Sequence, residues 1–179
     1  MSGTVAAACL HHLDDDGRPE IVVGFAAAGG LEALSLDGRR LWRNDEIGAL
    51  RDVAADGGGG LACVDGDGRI VGVSPAGKAN SPQRVSDRQL QSLVTGPVAS
   101  GGGWAAVAIA EAGPAKHEAV GLDPAWGESW TLPLGDGVHR DGPIEPVAWA
   151  DLLGTLRRQW LIAAADGTVT VAWADGRVV

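Results

Sequence analysis

The sequence predicts an all-β chain made of four repeated units, and three observations carry that prediction. Glycine supplies 28 of the 179 residues, about double its average frequency, and is spread along the chain rather than pooled in one tract. Apolar residues come in short runs of Ala, Val, Leu and Ile, bounded by Asp-Gly and Gly-Gly pairs. The same run–turn–run phrase then returns several times. Many turns between short apolar runs are the mark of an all-β chain.

The C-terminus gives the cleanest copy of the phrase. Trp160-Leu161-Ile162-Ala163-Ala164-Ala165 leads into the turn Asp166-Gly167, then Thr168-Val169-Thr170-Val171-Ala172-Trp173, the turn Asp175-Gly176, and Arg177-Val178-Val179. Two such runs joined by Asp-Gly, with β-branched residues at alternate positions, form a hairpin. Near the N-terminus the phrase reads Ile21–Phe25, Gly29-Gly30, Leu31–Leu36, Asp37-Gly38 and Leu41-Trp42-Arg43. It recurs as Leu61–Val64, Asp67-Gly68, Arg69–Val73 and Ala76-Gly77, and more loosely as Trp104–Ile109, Ala119–Leu122 and Trp126-Gly127. Upstream strands are expected at Val5–Leu10, Leu50–Ala54, Pro97-Val98-Ala99 and Pro146–Trp149.

The last turn glycines, Gly38, Gly77, Gly127 and Gly176, are spaced by about 40 to 50 residues, the period of a propeller blade. The fold expected is therefore a β-propeller of about four four-stranded antiparallel blades, roughly 4–47, 48–95, 96–143 and 144–179, in a single repeat domain over 1–179. A β-sandwich with irregular hairpins is the alternative. Four blades leave exposed edges unless something covers them. The solutions are a compact four-bladed ring, two copies completing an eight-bladed ring, or docking onto another protein; the last two predict a protein partner or a homo-oligomer.

The formal charge is −9, from 23 acidic and 14 basic residues, and no Lys/Arg cluster exceeds the pairs Arg39-Arg40 and Arg157-Arg158. Phosphate contacts dominate nucleic-acid affinity, so no nucleic-acid partner is expected. No apolar run approaches the ~18 residues of a membrane span, so no membrane insertion is expected. The first ten residues hold no Lys or Arg, so a secretory signal is not read. That points to the cytoplasm, or to an extracytoplasmic site if the chain is a piece of a longer exported protein. Cys9 and Cys63 lie in apolar runs and read as buried free thiols, with a disulfide as the alternative.

Two repeat families are recognisable in particular segments. His12-Leu13-Asp14-Asp15-Asp16-Gly17-Arg18-Pro19-Glu20-Ile21-Val22-Val23-Gly24 resembles the FG-GAP/VCBS repeat, an Asp- and Gly-rich loop before a Leu/Val strand ending in Gly. Gly30-Leu31-Glu32-Ala33-Leu34 with Asp37-Gly38-Arg39-Arg40-Leu41-Trp42-Arg43 resembles the PQQ-like repeat. The likeness is good over 12–43, fair over 50–77 and 144–179, and poor between 80 and 140. It implies architecture rather than activity.

The loop at Asp14–Glu20 is the main candidate site. Oxygen ligands alternating along a turn, with a carboxylate at the next strand's start, suit Ca²⁺. Carried over from the FG-GAP/VCBS resemblance, Asp14, Asp16 and Glu20 are the calcium ligands, while His12 puts an imidazole where a hard oxygen belongs. The alternative is a solvated acidic turn held by Gly17 and Pro19. The matching loops at Ala55–Gly60, Ser100–Gly103 and Asp151–Gly154 are poorer in carboxylates. Gly57–Gly60 lacks the Lys-Ser/Thr of a phosphate loop, and Asp65-Gly66-Asp67-Gly68 reads as hairpin chemistry.

Among the four histidines, His11, His12, His117 and His139, the adjacent pair points to opposite faces of a strand, so no zinc site is expected. There is no Gly-x-Ser-x-Gly elbow and no selectable Ser/His/Asp set, so a non-enzymatic scaffold is expected, with no cofactor unless calcium. In PQQ-like repeats a Trp after the Gly turn docks one blade on the next. Trp42 matches that position, and Trp130 matches it loosely. Of the seven tryptophans, Trp126 and Trp130, beside Pro124 and Pro133, are the candidates for an interaction surface. A ligand- or calcium-binding propeller, as a fragment of a sugar- or quinone-handling protein, is the alternative function.

Overall fold

The structure, a computed structural model, describes residues 3–27, 29–97, 103–113, 116–135, 138 and 146–179. The chain divides into two compact units, Met1–Leu93 and Val94–Val179, where the repeat pattern predicts one domain. Among the described residues there is no helix, so none is long and apolar enough to cross a membrane.

In the first unit, strands β1 (Val5–His11), β2 (Glu20–Phe25), β3 (Leu31–Leu34) and β4 (Arg40–Asn44) form an antiparallel sheet in chain order. Strands β5 (Leu50–Ala55), β6 (Leu61–Asp65) and β7 (Ile70–Val73) form a second. Strand alternation puts Val22, Leu31 and Ala33 of the first sheet on one face, where they meet Leu50, Leu61, Cys63 and Val73 of the second. Every residue of β6 is buried, as befits the middle strand of a covered sheet. Cys9 and Cys63 are free thiols in this core. Burial, followed by the nearby Asp52 charge, pushes Cys9 up to about 11, and burial pushes Cys63 up as well.

The second unit repeats the plan. Strand β8 (Gln89–Pro97) begins before Val94 and joins β9 (Trp104–Gly113), β10 (Lys116–Leu122) and β11 (Glu128–Leu134) in the order β11-β10-β9-β8. Strands β12 (Val147–Ala150), β13 (Gln159–Ala163) and β14 (Val169–Ala172) form the fourth sheet. Ala105, Val107, Ile109 and Ala119 of the third sheet meet Val147, Trp160 and Ile162 of the fourth.

Two expectations change, and a third falls mostly outside the described residues. The third sheet starts at Gln89, so the predicted blade boundary at 95/96 falls inside β8. Buried Gln91 and Ser92 interrupt the apolar alternation there and hide the strand. Of the strand expected at Pro97-Val98-Ala99, only Pro97 is described, as the end of β8. The second and fourth sheets have three strands, not four. Their outer strands shrink to isolated bridges, Val73 with Ala79, Ile70 with Gln83, and Ala172 with Val178. In the second sheet that outer segment contains Pro82, which has no N–H for a ladder.

The tight turns share one geometry. Gly38, Gly68, Gly77, Gly167 and Gly176 each sit at a φ between 72° and 86° and donate an N–H to the carbonyl three residues back. In the third sheet the residue in that place is Trp126, at φ 65°, whose N–H donates to Asp123 O at 2.9 Å. The turn expected on Gly127 therefore pivots one residue earlier. A left-handed conformation costs an L-residue roughly 1–2 kcal/mol.

Candidate functional site

The loop between β1 and β2 brings the predicted calcium ligands together. One carboxylate oxygen from each of Asp14, Asp16 and Glu20 lies within 4.8 Å of the others, and this is the one such group of three among the described residues. The loop is shaped by its own side chains. Asp14 Oδ1 accepts the Asp16 N–H at 2.9 Å, Asp16 Oδ1 accepts the Arg18 N–H at 2.7 Å, and Glu20 Oε2 accepts the Leu13 N–H at 2.6 Å. Asp14 and Asp16 are exposed, whereas Glu20 is buried. His12 is exposed and is not among the converging groups. The set offers hard oxygens, the right donors for Ca²⁺, but three carboxylates fall short of the six to eight ligands such an ion takes.

The other acidic turns serve the backbone. Asp65 is buried, its Oδ1 accepts the N–H groups of Asp67 and Arg69, and its Oδ2 pairs with the Arg69 guanidinium. Asp56 Oδ1 accepts from Gly58 and Gly60, which shapes the Gly57–Gly60 run into a hairpin loop. His139 and Ser100–Gly102 lie outside the described residues.

The two candidate interaction tryptophans have different fates. Trp130 packs over Gly176, where an added Cβ would lie 2.5 Å from the indole, and over Gly121, where it would lie 2.0 Å away. Its Nε1 donates to Ala174 O at 2.9 Å. Trp130, itself half-buried, thus docks the third sheet on the last turn of the fourth. Trp42 does the same in the first unit, over Gly77 and with its Nε1 donating to Pro75 O at 2.8 Å. Trp126 is half-buried and its ring meets Trp104, centroids 4.8 Å apart and tilted by 57°. That contact, of a kind worth about 0.5–1.5 kcal/mol, offsets the cost of its left-handed backbone.

One feature escaped the sequence reading. The loop between β12 and β13 is held from within: Asp151 accepts from the N–H groups of Thr155 and Leu156, and buried Gln159 accepts from Leu152 N and donates to Arg157 O. So anchored, it exposes Leu152 (50%), Leu153 (53%) and Leu156 (72%). Beside it, Arg157, Arg158 and Arg177 with Trp173, Ala174 and Asp175 line a cavity of about 200 Å³. Arg158 lies over the Trp149 ring at 4.0 Å, and Arg177 pairs with Asp175 at 2.8 Å. Backbone hydrogen bonding from Arg177, with its charge, holds the Asp175 carboxyl below the usual range. No carboxylate among the described residues pairs with Arg157. Pairing of Trp160 with Ala172 sets the start of β13 beside the end of β14, and that register joins the Arg157-Arg158 pair to Arg177.

No protein-family model matches the chain, and no curated protein sequence does. Solved structures do. Two crystal structures of BBS1N in complex with ARL6DN, soaked with mercury and with lead, match 99% of the chain at TM-score 0.69, with 13% and 14% identity. The WD40 beta propeller domain of Doa1 matches 99% at TM-score 0.58 and 16% identity. The chain spans about half the length of these structures, 52% of the mercury-soaked BBS1N chain and 53% of the other two. At such low identity the likeness speaks for fold alone, and the four antiparallel sheets are those of a β-propeller.

Proposed function

We propose that the chain is a non-enzymatic propeller scaffold that binds a protein partner. The observation that carries this reading is the β12–β13 loop. Three leucines at half or greater exposure, on a loop fixed by Asp151 and Gln159, are an interaction surface rather than a frayed segment. The BBS1N structures, which contain ARL6DN, lend it support. A photo-crosslinking residue placed at Leu153 in the source cells tests it. The expected result is a discrete conjugate that Leu152→Asp and Leu156→Asp abolish; irradiation that returns only the unconjugated chain overturns the reading. We further read the repeats as FG-GAP/VCBS- and PQQ-like, a reading that the Trp42 and Trp130 docking geometry supports.

The convergence of Asp14, Asp16 and Glu20 within 4.8 Å favours a second reading, a calcium-binding loop. Those three carboxylates would hold the ion, which would tie the β1–β2 loop down. Titration of the chelated protein with Ca²⁺ is then expected to raise the melting temperature, and Asp14→Asn with Asp16→Asn to remove the rise. An unchanged melting temperature at millimolar Ca²⁺ removes this reading and leaves the scaffold untouched.

A further inference from the structure

Within the first unit the second sheet covers one face of the first, and within the second unit the third sheet covers one face of the fourth. On the first, Ala7, Cys9, Val22, Leu31 and Trp42 face the second sheet. Alternation turns Leu10, Ile21, Val23, Phe25 and Leu34 to the other side, where all are half-buried or exposed and Leu10 reaches 63%. On the fourth, Val147, Trp149, Trp160 and Ile162 face the third sheet. Ala148, Leu161, Ala163, Val169 and Val171 turn outward, Val169 being 56% exposed. The face of the first sheet carries its large side chains with Ala8 and the Glu32–Arg43 ion pair among them, and that of the fourth mixes alanines with branched residues.

The charges at the ends of these faces are opposite. The loop from the first to the second strand of the first sheet carries Asp14, Asp15 and Asp16, all exposed. The loop from the first to the second strand of the fourth sheet carries Arg157 and Arg158, beside the cavity they share with Arg177 and Trp173. The two loops hold equivalent places in their sheets. A propeller packs each sheet face to face on the next with equivalent loops adjacent. Apposing the first sheet of one copy to the fourth sheet of another therefore brings the acidic loop to the arginine-lined cavity.

We propose that a second copy of this chain covers both faces, the first sheet of each copy docking on the fourth sheet of the other. The inference rests on the scaffold reading and names its partner. The contact is heterologous, and made twice it closes a two-fold dimer. In it, Leu10, Ile21 and Val23 of one copy cover the alanine-bearing face of the fourth sheet of the other, and Asp15 enters the cavity toward Arg157. Neither Asp15 nor Arg157 has a side-chain partner among the described residues, so the pair is free to form across the interface. Arg158, with its face on Trp149, keeps its N–H edge for a carboxylate.

Sedimentation equilibrium of the full chain at low micromolar concentration, with chelator present, tests this. The expected particle contains two 18.2 kDa chains. Asp15→Arg and Arg157→Glu, each on an exposed loop outside the core, are expected to weaken it at least tenfold when alone. Mixed, they restore it, because each variant then meets its opposite charge at both contacts. Leu10→Asp is expected to give a monomer that neither charge variant rescues. A monomeric wild-type chain, particles larger than a dimer, or a mixture that fails to reassociate overturns the proposal. The scaffold reading is judged separately: a conjugate at Leu153 to a different protein, with a monomeric wild type, keeps that reading and loses this one.

Discussion

The two units are built on one plan with different materials. In each, a four-stranded sheet is followed by a three-stranded one, and a tryptophan on the last strand of the first lies over the last turn glycine of the second. Trp42 covers Gly77 and Trp130 covers Gly176, with indole N–H groups bonded to Pro75 O and Ala174 O, the second residues of the two turns. Around that common device the cores diverge. The first has one tryptophan, Trp42, beside aliphatic residues and two thiols, and the second gathers Trp130, Trp149 and Trp160. The first adds an amide, Asn44 Nδ2 to Gly77 O at 2.8 Å, and the second adds a second glycine under the indole, Gly121. Docking fixes the bare turn and the indole; the filling behind them is free to vary.

The largest effect should come from removing the bareness. Gly77→Ala and Gly176→Ala put a Cβ 2.6 and 2.5 Å from the indole at φ values of 81° and 82°. Each should destabilise its own unit by about 2–4 kcal/mol, from left-handed strain plus overpacking. Denaturant unfolding followed by tryptophan fluorescence measures it, and equal stability of variant and parent would break the comparison.

A smaller effect separates the turns. At position 126, Gly should be more stable than Ala by about 1 kcal/mol, because both lack the indole and only Ala keeps the left-handed cost. Chemical denaturation of Trp126→Gly against Trp126→Ala reads that difference directly. The amide is a similar test in the first unit. Asn44→Leu should cost about 1 kcal/mol by leaving Gly77 O short of a donor, and Leu132→Asn in the second should gain nothing.

The last contrast is silent at neutral pH. Cys9 ionises at 9.0 when unfolded and at about 11 when folded, so between those values the unfolded chain holds fewer protons and stability falls as pH rises. Below about pH 8 it contributes no slope. The second unit has no cysteine, so alkaline unfolding should begin in the first, and Cys9→Ala should reduce the slope while leaving the part that the buried Cys63 thiol contributes. Thiol alkylation should be slow at neutral pH for the same reason.

Much of this architecture was legible in the chain. Asp-Gly and Gly-Gly pairs located the hairpins of the first, second and fourth sheets, because those turns need the backbone freedom that only glycine supplies. Spacing of Asp14, Asp16 and Glu20 likewise brought three carboxylates together as read. What escaped was written in exceptions. Gln91 and Ser92 masked β8 by putting polar groups on a buried strand, and Trp126 took a place where a glycine was sought. The arginine cavity draws on residues far apart in sequence that meet only through the β13–β14 register. Above the blade period lies a longer one, since Trp42 and Trp130 recur once every two sheets.

That doubled period bears on how the chain acquires its structure. The two indole–carbonyl bonds span 33 and 44 residues, so neither docking event waits on residues from the other half of the chain. Loop-closure entropy rises only slowly over such lengths. Each half can therefore collapse on its own clock, with Trp42 the one tryptophan of the first unit and six tryptophans in the second. Two kinetic phases, the first unit's silenced by Trp42→Phe, would time the halves separately.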